Sequence, residues 1–408
     1  MVAARRATVR DMRRSNRAAV LYRIFLDGPI SRNDVARLTD LSQASVSNLV
    51  SDMIADGLIE EAGQVDSDGG RPRVLLRVAP SYGSVIGVDV GETDIRVELF
   101  DMSMRALGKI DYPVNQLDPG TVVRDVLAGI NAVTTEADVP PDRVLGVGVA
   151  LSGVVEGAEG IVHAQTLGWD GVPLGAMLRA GSTIPVYIDN GAKTLGQAEM
   201  WFGAGRGSRH VVVALVGSGV GAAVVADGAS YRGSHSSAGE WGHTTIVYGG
   251  RTCRCGANGC LEAYVGAEAI LDRFREANRG RPAAGDDPET ALATLIASAA
   301  HSRTAARILD ETAGYLGAGV GTLINLFNPE RVILGGWAGL QLGAAALPEI
   351  TASAKAHALR RPFEQAGIEL CQLGTDAVAL GAATLPVARL LDAGGALAIN
   401  ARPLAALR

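Results

Sequence analysis

The apolar positions near the start of the chain repeat with a helical period and predict three short helices. The first helix ends at Gly28-Pro29, and its apolar stripe is formed by Val20, Leu21, Ile24 and Phe25. Ser31 is the predicted N-cap of a second helix, with Val35 and Leu38 facing inward. The third begins after Ser42, ends at Gly57, and buries Val46, Leu49, Val50, Met53 and Ile54. A tight turn between the second and third helices predicts a helix-turn-helix.

Two strand-like runs follow, at Leu58–Glu60 and Val74–Val78, and they flank a polar loop. That loop contains Gly69 and Gly70, then Arg71-Pro72-Arg73, which predicts a wing with two arginines suited to a narrow minor groove. The exposed face of the third helix carries small or amide side chains that can approach base edges, namely Gln43, Ala44, Ser45, Ser47 and Asn48. Residues 1–80 are therefore a predicted winged helix-turn-helix DNA-binding domain, and a three-helix protein–protein module is the alternative.

After a short linker the pattern changes to strands that alternate with helices, which predicts an α/β domain from about residue 83 to 408. The domain opens with an apolar strand that ends in Asp89-Val90-Gly91 and turns into a second, alternating strand. This hairpin resembles the first phosphate hairpin of the actin-like ATPase fold. The Gly217–Gly221 run lies between two further apolar strands and resembles a second phosphate loop of that fold. A glycine-rich turn of this kind can also be purely structural.

One histidine and three of the four cysteines of the chain lie within a short stretch of the second half. The spacing is His-x9-Cys-x-Cys-x4-Cys, formed by His243, Cys253, Cys255 and Cys260. One imidazole and three thiolates suit a closed tetrahedral zinc site, which fixes a loop and leaves no open position for chemistry. The sequence therefore predicts a structural Zn²⁺. The alternative is a set of ordinary buried thiols on a glycine-rich loop.

Two carboxylates, Glu240 and Glu262, bracket these ligands, and a rigid loop would hold them in place for the hydroxyls of a sugar. Glu-x-Gly-His followed by Cys-x-Cys-Gly-x-x-Gly-Cys-x-Glu resembles the signature of the ROK family of repressors and sugar kinases. The resemblance implies a two-lobed actin-like domain in which Glu240, His243 and Glu262 contact a sugar. It also assigns Asn190 to the sugar site, and Gly70-Arg71-Pro72 resembles the wing of ROK repressors.

The chain departs from the kinase pattern where the family has its catalytic aspartate. Alignment on Pro185-Val186 places Gly191 there, and glycine offers no proton acceptor for a general base. Asp189 lies two positions earlier and would substitute only if the turn were rebuilt. In the first phosphate hairpin, Glu92 replaces a glycine, and its charge would oppose a bound triphosphate. Lys193 adds a cation near the predicted cleft, which favours an acidic or phosphorylated sugar unless its ammonium simply faces solvent.

Composition adds that the protein is acidic overall, with a formal net charge of −6, but that its start is basic. Residues 1–37 contain nine arginines and three aspartates, which indicates a local polyanion partner, although the first 12 residues could be a solvated tail. No signal-peptide pattern or long apolar run is present, and a zinc-type thiol cluster fits a reducing compartment. We therefore expect a cytoplasmic protein that does not use a membrane, with Cys371 a small buried hydrophobe.

Together these features predict a sugar-responsive transcriptional regulator, most simply a repressor, that has lost kinase activity. Its expected partners are double-stranded operator DNA and a sugar or sugar-phosphate effector. We expect a homodimer or a dimer of dimers to bind a palindromic operator. Two alternatives remain at this point. One is a bifunctional ROK sugar kinase that also binds DNA, and the other is a DNA-bound docking protein with a vestigial sugar cleft.

Overall fold

The computed structural model describes residues 8–67, 70–114, 116–157 and 159–396, and they form a winged helix-turn-helix followed by two α/β lobes. The first domain consists of α1 (Val9–Asp27), β1 (Ile30–Ser31), α2 (Arg32–Thr39), α3 (Gln43–Ala55), β2 (Ile59–Ser67) and β3 (Gly70–Val78). Its strands form an antiparallel sheet in the order β1-β3-β2. The predicted N-caps are present, because Ser31 accepts the backbone N–H of Asp34 and Ser42 accepts that of Ser45.

Two expectations for this domain are wrong. The first helix begins at Val9 rather than after a tail of 12 residues, because Thr8 and Asp11 form a capping box at its start. Leu38 is 39% exposed instead of buried, while Val35 on the same helix is fully buried. A short helix can bury only one narrow stripe, and Val35 occupies it. Gly69 lies outside the described residues, as does the side chain of Arg71.

The first lobe contains a five-stranded sheet in the order β11-β7-β4-β5-β6 and a three-stranded flap in the order β10-β9-β8. Its elements are β4 (Ser84–Val90), β5 (Asp94–Asp101), β6 (Ala106–Pro113), α4 (Pro119–Glu136), β7 (Val144–Leu151), β8 (Val154–Glu156), β9 (Ile161–Ala164), β10 (Trp169–Val172), α5 (Leu174–Gly181) and β11 (Val186–Asn190). β4, β7 and β11 are parallel, so their carboxyl ends meet at one edge of the sheet. Ligand loops of α/β sheets lie at that edge.

The second lobe begins after α6 (Gly191–Phe202) and contains a five-stranded sheet in the order β14-β13-β12-β15-β16. Its elements are β12 (Val211–Val216), β13 (Val220–Ala226), β14 (Ala229–Tyr231), α7 (Glu262–Val265), α8 (Ala267–Ala277), α9 (Pro288–Ser298), α10 (Arg303–Phe327), β15 (Arg331–Gly335), α11 (Trp337–His357), α12 (Arg360–Gln365) and β16 (Gly367–Leu370). The sequence predicts a single helical region over 290–327, but Ser302 caps a new helix and divides it.

The last helix, α13 (Ala377–Asp392), returns to the first lobe and packs on β4 and β7. Glycine is needed on these strands, because a Cβ on Gly87 or Gly148 would overlap a backbone carbonyl of α13. α13 also packs against α6, and α6 packs on β13 of the second lobe. The two helices therefore form a layer between the lobes.

The winged helix is not a separate globule, because one apolar core runs from it into the rest of the molecule. This core joins α1 and α3 to Val85 of β4, Trp201 of α6, and Val387 and Leu390 of α13. The connection between the two domains is a short 3₁₀ turn at Pro80–Tyr82. The winged helix-turn-helix is thereby packed directly on the helices between the lobes.

Candidate functional site

A cleft of about 1080 Å³ lies between the lobes, where the parallel strands of the first lobe end. The residues that the sequence assigns to sugar binding come from both lobes and all line this cleft, namely Asn190, Glu240, His243 and Glu262. Residues 90–94 of the first hairpin and residues 217–221 of the second loop line it as well. The fold thus brings the predicted sugar residues and both predicted phosphate loops together.

Asn190 ends β11 and caps α6, and most of its amide is used inside the protein. Its Oδ1 accepts the backbone N–H groups of Ala192 and Lys193, at 3.0 and 3.2 Å. Its Nδ2 donates to the carbonyl oxygen of Gly153 at 2.8 Å. An amide nitrogen carries two hydrogens, so Asn190 keeps one donor for a ligand in the cleft.

The two carboxylates approach the cleft from the second lobe. Glu262 is the first residue of α7, is 5% exposed, and accepts the backbone N–H of Val220 through Oε2 at 3.0 Å. Glu240 precedes the 3₁₀ turn at Trp241–His243. Burial raises the pKa of Glu240, and the charges of Lys193 and His243 oppose that rise. Carboxylates held in this way can accept hydrogen bonds from vicinal hydroxyl groups.

The four predicted zinc ligands form one cluster, with one ligand atom from each residue and all of these atoms within 4.8 Å of one another. His243 Nδ1 lies 3.7 Å from Cys253 Sγ, and Cys255 Sγ lies 3.7 Å from Cys260 Sγ. Zn–S bonds of about 2.3 Å at tetrahedral angles separate two thiolates by about 3.8 Å. The donor set and its spacing therefore fit a closed tetrahedral Zn²⁺ site.

Local backbone geometry explains why these cysteines converge. Gly256 and Gly259 have positive φ values of 90° and 80°, which L side chains rarely adopt, and they turn the chain sharply between the ligands. The backbone N–H of Cys253 donates to Ala257 O at 2.8 Å, and that of Gly256 donates to Cys253 O at 3.0 Å. The Cys-x-Cys-Gly-x-x-Gly-Cys spacing is thus a tight turn that presents all three sulfurs to one point.

Gly191, which the sequence predicts at the position of the kinase aspartate, is the first residue of α6 and lines the cleft. Asp189 does not line the cleft. Asp189 is 4% exposed. Its carboxylate forms an ion pair with Arg232 and accepts the backbone N–H of Asn190 at 2.9 Å. Asp189 therefore lies outside the cleft lining, and its partner is the guanidinium of Arg232. The rebuilt turn that would let it act as a base is not present.

Lys193 also differs from both expectations for it. It is 4% exposed, and its Nζ donates to Ser236 O at 2.6 Å, so its ammonium lies neither in solvent nor on the wall of the cleft. Burial lowers the pKa of Lys193, while the carboxylates of Asp189 and Glu240 oppose that shift. Its effect on a ligand would pass through the charge of Glu240 and not through direct contact.

Sequence reasoning missed a contact that joins the two lobes. Arg254, between two zinc ligands, donates through Nη1 to Glu92 Oε2 at 2.6 Å and through Nη2 to Ser218 O at 2.9 Å. The negative charge of Glu92, which the sequence predicts would repel a triphosphate, is therefore balanced by a cation. The sequence offered one sign of this contact. Glu92 and Arg254 carry opposite charges, but they lie 162 residues apart along the chain.

The predicted DNA-contacting face of α3 is accessible. Gln43, Ala44 and Asn48 are exposed, and Ser45 and Ser47 are partly exposed. In the wing, Arg73 is exposed on β3. Part of the basic surplus of the first 37 residues is balanced by carboxylates beyond that stretch, because Asp52, Asp56 and Glu61 pair with three of its arginines: Arg13, Arg17 and Arg32. Helix α3 and the wing thus remain the candidate DNA contacts.

Among the described residues, no helix has both the length and the apolar character that crossing a membrane requires.

Comparison with known proteins agrees with this architecture. A family model described as "ROK family" matches residues 85–389. The xylose repressor of Caldicellulosiruptor bescii is 31% identical over 93% of this chain and 97% of its own length. That alignment includes the DNA-binding domain as well as both lobes.

Solved structures show the same division. A ROK family transcriptional regulator, described as a homolog of the E. coli MLC protein, superimposes with a TM-score of 0.77 and 25% identity over 94% of this chain and 98% of its own. A ROK family glucokinase from Streptomyces griseus, in complex with glucose and AMPPNP, gives a TM-score of 0.64 and 26% identity. The superposition covers 74% of this chain and 99% of the kinase. The kinase therefore lacks an equivalent of the whole first domain.

Proposed function

This chain belongs to the ROK family, and from that membership we propose that it is a sugar-responsive transcriptional repressor without sugar kinase activity. One observation carries the proposal. The cleft keeps the second-lobe carboxylates Glu240 and Glu262, but Gly191 lies where a base would be needed, and Asp189 is turned to Arg232. Such a cleft can bind hydroxyl groups and cannot deprotonate one through this strand end.

A sugar in the cleft contacts residues of both lobes, so its binding favours a closed arrangement. Glu240, His243 and Glu262 hold it from the second lobe, and Asn190 donates from the end of the first-lobe sheet. Zn²⁺, where bound, fixes the loop that carries His243 and Glu262, and it takes no part in chemistry. The winged helix packs on α6 and α13, which lie between the lobes, so closure changes the support of the DNA-binding domain.

Operator DNA is the second ligand of this proposal. α3 enters a major groove through Gln43, Ala44, Ser45, Ser47 and Asn48, and Arg71 and Arg73 of the wing contact the minor groove. A homodimer, or a dimer of dimers, reads a palindromic site. A regulator of this kind works where the DNA is, which in a bacterial cell is the cytoplasm. Xylose is the first effector to test, because a xylose repressor is among the relatives.

Sugar binding and phosphoryl transfer are separated by one set of assays on purified protein. We expect D-xylose, D-glucose or N-acetyl-D-glucosamine to raise the melting temperature at millimolar concentration, and Glu262→Gln to abolish that rise. We expect no sugar-dependent ATP hydrolysis. Sugar phosphorylation above the background without protein would instead establish the bifunctional kinase, and its loss in Asp189→Asn would identify Asp189 as the substitute base. Loss of any thermal response in the wild type would favour the vestigial cleft.

A further inference from the structure

The zinc loop contacts the first lobe through one side chain, and the surroundings of that side chain are unusual. Arg254 lies between Cys253 and Cys255 and extends its guanidinium across the cleft to Glu92 in the turn between β4 and β5. Glu92 belongs to the first lobe, and its side chain is only 12% exposed in this pair. Removing Arg254 would leave the largely buried Glu92 carboxylate without its partner charge, which costs more than breaking a surface pair.

The same guanidinium also holds parts of the second lobe. Its Nη2 donates to Ser218 O at 2.9 Å and lies 3.6 Å from Glu262 Oε1. Its Nη1 is also 3.4 Å from Glu268 Oε2. Arg254 thus connects the two predicted phosphate loops to each other, through Glu92 in the first and Ser218 in the second.

Charge balance explains what this connection does. One cation faces three carboxylates, which belong to Glu92 of the first lobe and to Glu262 and Glu268 of the second. Without Arg254, the negative charges of the two lobes would repel each other across the cleft. With it, each carboxylate is attracted to the same guanidinium, and the contact stabilises this relative arrangement of the lobes.

We propose that Arg254 is a positioning residue that fastens the zinc loop to the first lobe through Glu92 and holds Glu262 in place for the ligand. The fastening joins the two predicted phosphate loops and so holds the lobes in their present relative arrangement. The consequence for sugar affinity rests on the proposed function, whereas the fastening itself does not.

Two measurements test the proposal on the full-length, zinc-loaded protein. The first is hydrogen–deuterium exchange of the hairpin at residues 90–95 without ligand. The second is the affinity for D-xylose, D-glucose and N-acetyl-D-glucosamine by calorimetry. The variants are Arg254→Gln, Glu92→Gln, the double variant and Arg254→Lys. Arg251→Gln is the matched control, because Arg251 lies on the same loop but pairs with Glu276 within the second lobe, at 2.9 and 2.8 Å.

We expect Arg254→Gln and Glu92→Gln each to speed exchange of the hairpin and to weaken sugar binding about tenfold, which corresponds to about 1.4 kcal/mol. The double variant should be no weaker than Arg254→Gln, because both changes remove one interaction. Arg254→Lys should recover part of the loss, and Arg251→Gln should match the wild type. Zinc content should be equal in all of them.

Unchanged exchange in Arg254→Gln would overturn the proposal, and so would strictly additive losses or an equal effect of Arg251→Gln. If the wild type binds none of the sugars but Arg254→Gln still speeds exchange of the hairpin, the fastening stands and the proposed function fails. The two outcomes are therefore distinguishable.

Discussion

Glu98 illustrates how the ionisation of a single buried residue makes the free energy of unfolding depend on pH. It lies on β5, is 4% exposed, and its Oε1 has no hydrogen-bond partner among the described residues. Burial, followed by the nearby carboxylate of Asp376, raises its pKa to about 7, although Lys109 opposes the rise. The folded protein therefore binds this proton more tightly than the unfolded chain does.

The sign of the pH effect follows from that difference. The contribution of Glu98 to stability is complete below its ordinary pKa of 4.5 and is lost as the pH rises through about 7. We predict that Glu98→Gln increases the free energy of unfolding relative to the wild type at pH 8 and changes it little at pH 4.5. Chemical denaturation at both pH values measures this. Glu349→Gln, at an exposed position of α11, is the control. An equal gain at both pH values would contradict the account.

Also at the scale of single residues, the predicted lack of a base at Gly191 and the ion pair of Asp189 differ in how far the sequence could anticipate them. That Gly191 lacks a carboxylate follows from the sequence alone. The ion pair of Asp189 with Arg232 does not, because it joins positions 43 residues apart, across the boundary between β11 and the second lobe. The contact of Arg254 with Glu92 could not be predicted for the same reason, because the two residues lie far apart in the sequence.

At the scale of elements, the zinc loop was predictable because its determinants are local. Ligand spacing and the two positive-φ glycines act within a few residues, so sequence order is close to spatial order. The caps of α2 and α3 were predictable for the same reason. The division of the 290–327 region has a local signal too, since the Ser302 side chain accepts the Ala305 N–H and caps the new helix, but the apolar pattern alone does not show it.

The zinc loop gives the prediction that belongs to this scale. We expect one Zn²⁺ per chain by elemental analysis, and we expect Cys260→Ser to lose it, with a lower melting temperature and weaker sugar binding. Cys371→Ser is the matched control, because that buried thiol lies outside the cluster and donates to Glu199 at 2.8 Å. Retention of zinc by Cys260→Ser, or its loss in Cys371→Ser, would argue against the assigned ligands.

At the scale of the whole molecule, α6 links the ligand cleft to the DNA-binding domain. Asn190 caps its first turn, and its far end carries Trp201 and Phe202. Phe25 of α1 packs on both of these rings, with centroid distances of 5.6 and 6.2 Å. A helix of 12 residues spans about 18 Å, so α6 reaches from Asn190 at the cleft to the surface on which the winged helix packs.

The sequence indicated two domains but not that they share a core. The stripe on α1 is apolar on the side that faces α3 and also where Phe25 meets α6. A hydrophobic pattern does not say which of several partners covers it. The domain boundary near residue 80 is therefore a boundary of chain order and topology, whereas packing is continuous across it.

We expect sugar binding and operator binding to be coupled, and we expect the contact of Phe25 with α6 to carry the coupling. The most direct measurement is binding of full-length protein to DNA from its own promoter region, titrated with D-xylose, D-glucose and N-acetyl-D-glucosamine, with ATP turnover followed in the same samples. We expect one sugar to change operator affinity by roughly 5–150-fold without phosphoryl transfer. Phe25→Ala should still bind both ligands with a smaller change. A sugar that binds the cleft but leaves operator affinity unchanged, or is phosphorylated there, would contradict the account.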